Sequence, residues 1–147
     1  MSLQEWQKNG WLIEHRTSPQ EISDLLEVAD RDLADCQAQG LSPDWKLNIA
    51  YNAALQLATA ALAAAGCQAE RVAHHYRVIQ SLAYTIKADS DLILQFDQFR
   101  KKRNIGGYER AGMVSDQEAN EMMTLAKNLR EDVKVWLRKN YSELIKG

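Results

Sequence analysis

Apolar residues recur every three or four positions in five stretches of this chain, and no stretch alternates apolar and polar at period two. The first pattern predicts helices, and the absence of the second predicts no sheet. The first stretch, about residues 19 to 38, carries Ile22, Leu25, Leu26, Ala29, Leu33 and Cys36. The second, about 43 to 65, carries Leu47, Ala50, Ala54, Leu57, Ala58, Ala61 and Leu62. The third, about 68 to 87, carries Val72, Tyr76, Ile79, Ala83 and Ile86. The fourth, about 90 to 103, carries Leu92, Phe96 and Phe99. The fifth, about 116 to 140, carries Met122, Ala126, Leu129, Val133 and Trp136.

The turn-forming residues fall between these stretches. Ser18-Pro19 and Ser42-Pro43 each place a serine where it accepts a free N–H at a helix start, and a proline where its missing N–H costs nothing. Glu21, three residues after Ser18, and Glu118, three after Ser115, complete the pattern of a capping box. Gly40 and Gly66 stand where the first two helices should end. Connections are short except for residues 104 to 114. The expected fold is an all-α, up-and-down bundle of about five helices. Alanines on several faces of the second helix let neighbours approach closely, which makes it the expected central helix. Trp6, Trp11 and Ile13 of the N-terminal residues 1–17 are expected to pack over one end of a core spanning about 18–140.

Composition narrows the picture. The 147 residues suit one domain. A net charge of −2 gives no global attraction to nucleic acid or membrane, so any such contact needs a local patch. Two cysteines, Cys36 and Cys67, make no disulfide framework and lack metal-ligand spacing, as in a reducing cytosol. The opening MSLQEWQKNGWLIEH has no secretory pattern, and no uninterrupted apolar run reaches membrane-spanning length, so a cytoplasmic chain with no membrane partner is expected.

Candidate chemistry is sparse. The nearest approach to a Glu-x-x-His metal motif is Glu70 and His74, four apart and without a second copy, so neither metal nor cofactor is expected. His74 and His75 are adjacent, so on a helix they point about 100° apart. No phosphate-binding P-loop and no nucleophile elbow occurs. One stretch stands out: FRKKRNIGGYERAG, residues 99 to 112. Arg100, Lys101, Lys102, Arg103 and Arg110 set five cations against one acid, Glu109. Cations at a helix C-terminus complement its dipole without any further role. Arg100 and Arg103, however, lie one turn apart, and Arg103 falls on the apolar side of Phe96 and Phe99. A cation there calls for a buried partner or a bound anion, and a guanidinium suits phosphate oxygens.

At these residues the chain resembles the HEPN domain family (higher eukaryotes and prokaryotes nucleotide-binding). The likeness rests on Arg103-Asn104 at the end of the fourth helix, on AYNAAL and HHY before it, and on RKKRN itself. It covers about residues 18 to 140 and is closest to a small single-domain bacterial group. The resemblance implies a HEPN-like bundle that binds RNA or a nucleotide, set in a toxin–antitoxin or defence system. It also implies a homodimer and a nucleotidyltransferase-type antitoxin partner; an excess of apolar and small residues on the second helix points to a dimer as well. Catalytic members are metal-independent endoribonucleases with a histidine four to six residues after the arginine. Here the position five on is Tyr108. Arg103, Asn104 and Tyr108 are thus the candidate site, flanked by Arg100, Lys101, Lys102 and Arg110, with His74 or His75 as accessory candidates for the missing base. The alternatives are an endoribonuclease, and a non-enzymatic protein-interaction bundle in which the cluster only ties down residues 104–114.

Overall fold

A computed structural model describes residues 1–105 and 114–145, the side chains of residues 104 and 105 excepted. Its described residues form six α-helices: α1 (Leu3–Lys8), α2 (Pro19–Asp35), α3 (Pro43–Ala64), α4 (His74–Ser81), α5 (Ser90–Ile105) and α6 (Asp116–Asn140). A 3-10 turn follows at Ser142–Leu144.

Helix α3 is the axis of this bundle. Thirteen of its 22 residues are buried, which a helix achieves only when neighbours surround it. Helices α2 and α6 pack most extensively against it, and α4 and α5 also touch it. Six of its alanines, from Ala50 to Ala61, are fully inaccessible, so the flanking backbones come close. By length and composition α3 could cross a membrane, but 72% of its most apolar window is buried inside the fold. The same burial absorbs the apolar excess that pointed to a dimer, so that argument for self-association has no footing in α3.

The serine caps form as the sequence predicts. Ser18 Oγ accepts the Glu21 N–H at 3.1 Å, and Ser42 Oγ accepts the Trp45 N–H at 3.2 Å. Ser115 and Glu118 close a complete capping box. The Ser18 box is only half made. Glu21 turns its carboxylate to Thr17 Oγ1 at 2.6 Å and His15 Nε2 at 2.8 Å instead of back to the cap.

Two expectations are corrected. A small antiparallel sheet is present: β1 (Leu12–Glu14) pairs with β2 (Cys67–Ala69), Leu12 opposite Ala69. Three-residue strands are too short to show a period of two, and the pairing depends on Gly66, which turns the chain out of α3 at φ +87°. The expected third helix over 68–87 is therefore shorter at both ends. Its start is taken by β2, and Val72 is 84% exposed on the connection to α4 rather than in the core. Past Ser81 the chain continues in tight turns to Lys87, which sits at φ +58°, and Ala88 N–H reaches back to the Leu82 carbonyl at 3.1 Å. At the N-terminus Trp6 and Leu12 are buried, whereas Ile13 is 44% exposed. Trp6 meets Trp11 and Tyr84 edge-on, and the Arg77 guanidinium lies 3.8 Å from the Trp11 ring centroid.

Candidate functional site

The cations at the end of α5 have different fates. Asp97, only 6% exposed, holds Arg100 Nε at 2.7 Å and Lys101 Nζ at 3.6 Å. Lys102 Nζ reaches Glu118 Oε2 at 3.1 Å, tying α5 to the capping box of α6. That carboxyl is held below its ordinary pKa first by the Ser115 N–H and then by Lys102. Arg103 differs. It is half-buried, and among the described residues it has no acidic partner. Its guanidinium carbon lies 5.0 Å from the centroid of the Tyr51 ring. A ring face attracts a cation but leaves its N–H donors unfilled.

Tyr51 is the hub of this end of the bundle. It is fully buried in α3 and packs edge-on to Phe96 of α5, centroids 5.7 Å apart. Its hydroxyl lies 3.3 Å from His75 Nδ1. Burial pushes the phenol up to about 12, outweighing the opposing pull of Arg103 and Arg100. It therefore keeps its proton at neutral pH. His75 is pushed the other way. Burial lowers its pKa most, and the charges of Arg103, His74 and Arg100 lower it further. The result is a neutral imidazole beside a guanidinium that lacks an acid partner among the described residues. With Nδ1 engaged by Tyr51, Nε2 makes no hydrogen bond to the described residues.

The local backbone adds to the electropositive character. Helix α4 begins at His74 after Ala73, which is left-handed at φ 56° and offers no side-chain cap. Every other helix receives a side-chain oxygen at its start, from Ser2, Ser18, Ser42, Asp89 or Ser115. The His74 N–H bonds the Arg71 carbonyl at 3.3 Å, and the N–H groups of His75 and Tyr76 lack the side-chain acceptor that caps the other helices. His75 stands within that turn.

His74 points elsewhere, as adjacency on a helix requires. It lines a cavity of about 270 Å³ with His15, Glu21, Leu25, Leu62 and Val78. A second cavity, about 730 Å³, lies between the start of α5 and α6, where Asp89, Asp91 and Glu121 line it with Gln95, Gln117 and Asn120. Twelve residues of helix, about 18 Å, separate Asp91 from Arg103, so that acidic groove and the cation are at opposite ends of α5. Among the described residues no group of three or more histidines, cysteines or acids could hold a metal ion.

The structure therefore joins three of the predicted residues, Arg103, Arg100 and His75. Lys101 and Lys102 are engaged by acids, and His74 stands apart. Tyr108 and Arg110 lie outside the described residues, as does the side chain of Asn104. No family model, curated protein or solved structure matches this chain. Two site residues escape a reading of the sequence: Asp97, the internal acid that fixes Arg100, and Tyr51. The one visible signal for Tyr51 is that it is the sole aromatic in the alanine-rich run from Ala50 to Ala65.

Proposed function

We propose that this chain is a HEPN-type module that binds RNA or a nucleotide by its phosphate, at the end of the bundle formed by α3, α4 and α5. One observation carries this reading: Arg103 has no acidic partner among the described residues, while Arg100, Lys101 and Lys102 each have one. A half-buried guanidinium held over a ring presents its donors to an incoming anion. The neighbouring first turn of α4 has no side-chain cap, and its His75 and Tyr76 N–H groups suit the same oxygens. The test is binding of a labelled single-stranded RNA 12-mer by fluorescence anisotropy at two salt concentrations. Arg103→Ala is expected to weaken binding by about tenfold, the scale of a charge-assisted contact, and to lower the salt slope by about one. Unchanged affinity in Arg103→Ala would overturn the reading and leave a protein-interaction bundle.

His75 favours a second reading, a metal-independent endoribonuclease. A neutral imidazole beside a fixed cation is the pair that such chemistry needs: a base to take the 2′-hydroxyl proton and a charge to stabilise the phosphorane. Cleavage of that RNA in EDTA, lost in both His75→Ala and Arg103→Ala, is the expected outcome; RNA that stays intact with the wild type excludes it. The resemblance adds a homodimer and a nucleotidyltransferase-type antitoxin partner, in a toxin–antitoxin or defence setting, which co-purification from a co-expressing host would test.

A further inference from the structure

Beside the cation site stands an aromatic ring that no role has yet absorbed. Tyr76 follows His75 on α4 and is 36% exposed. The guanidinium carbon of Arg100 lies 5.5 Å from its ring centroid, and that of Arg77 lies 5.4 Å away. Both arginines are themselves fixed, Arg100 by buried Asp97 and Arg77 by the Trp11 ring. Tyr76 thus combines a partly exposed ring with two anchored cationic neighbours. Its hydroxyl makes no hydrogen bond to the described residues, so polar anchoring does not account for its position.

Spacing gives this ring its meaning. Tyr76 is adjacent to Arg100, and Tyr51 beneath Arg103 is adjacent to His75. Arg100 and Arg103 are three residues apart on one helix, a rise of about 4.5 Å. One nucleotide bridges that separation between its base and its phosphate. Aromatic rings and guanidinium planes are the surfaces on which unpaired bases stack, and every base offers such a face. A duplex hides those faces within its own stack.

We infer that Tyr76 is the base-stacking platform of this site, so that the ligand is an unpaired polynucleotide strand rather than a duplex or a free phosphate. The inference rests on the phosphate-binding reading above. Arg103 would hold a phosphate, and the adjoining base would stack on the exposed part of Tyr76, whose ring has the Arg100 and Arg77 guanidiniums over it.

The experiment compares three probes by anisotropy: a single-stranded RNA 12-mer, the same strand annealed to its complement, and an abasic phosphodiester 12-mer. The variants are Tyr76→Leu, which keeps an apolar body without a ring, Tyr76→Trp, and Arg103→Ala. Tyr76→Leu is expected to weaken the single strand by about tenfold, the scale of one base–aromatic stack, and to leave the abasic strand unchanged. Tyr76→Trp should bind the single strand at least as tightly as the wild type. The duplex should bind no better than the abasic strand. If Tyr76→Leu retains full affinity for the single strand while Arg103→Ala loses it, the platform is overturned and the phosphate site stands. An equal loss on the single and abasic strands would show that Tyr76 only supports the fold, and would overturn it too. If Arg103→Ala changes nothing on any probe, the phosphate reading fails and this inference falls with it.

Discussion

At the scale of single residues, His75 and Arg103 make opposite demands on the fold. Burial and nearby cations hold the imidazole neutral, so the folded protein resists a proton that the unfolded chain accepts near its ordinary pKa of about 6.5. The sign follows. The unfolded state binds more protons below that value, so stability is fully present above about pH 6.5 and falls as pH drops toward the depressed pKa of His75. Melting temperature measured from pH 8 to pH 5 should decline in the wild type and decline less in His75→Gln. Arg103 behaves differently, because it has no acid to leave unpaired among the described residues. Arg103→Ala should therefore cost only about 0.5–1 kcal/mol, the loss of its contact with the Tyr51 ring, in urea unfolding. A larger loss would mean that the guanidinium serves the fold rather than a ligand.

At the scale of elements, backbone conformation departs from propensity at Lys87. A lysine at φ +58° ends the turns that follow α4, where a side chain is strained and glycine is not. Lys87→Gly should raise stability by about 0.5 kcal/mol, after the greater entropy of glycine in the unfolded chain is subtracted. Thermal melts of the two proteins decide this. Elements with strong caps were legible in advance: α2, α3 and α6 start at the residues that Ser18, Ser42 and Ser115 indicate. The third helix was not, because Val72, Tyr76, Ile79, Ala83 and Ile86 keep helical spacing across a segment that changes conformation three times. Apolar periodicity persists there while hydrogen bonding to Leu12–Glu14 decides the backbone for Cys67–Ala69, and a partner 55 residues away leaves no local trace. The site divides in the same way. Arg103 was visible from its place below Phe96 and Phe99. Its meeting with Tyr51 and His75 was not, since it depends on how α3, α4 and α5 are set against each other.

At the scale of the whole molecule, stability depends on the small residues of α3. Ala61 is fully buried on the central helix, which α2 and α6 flank. Ala61→Leu should destabilise the protein by about 1–3 kcal/mol, the usual effect of overpacking a close-packed interior, as read from the urea midpoint. An unchanged midpoint would mean that α3 is not surrounded as tightly as its burial indicates.

The pairing of β1 with β2 has a consequence in time. Its two strands are separated in sequence by all of α2 and α3. Closing a loop of that length is slow and gains little until its ends are already near each other. The α2–α3 hairpin, built from neighbouring segments, has no such delay. The N-terminal residues should therefore dock late in folding, onto a bundle already assembled, and detach first when it unfolds. In hydrogen exchange, the amides of Leu12–Glu14 should lose protection before those of α3, so this end of the molecule is a clasp fastened after the rest is in place.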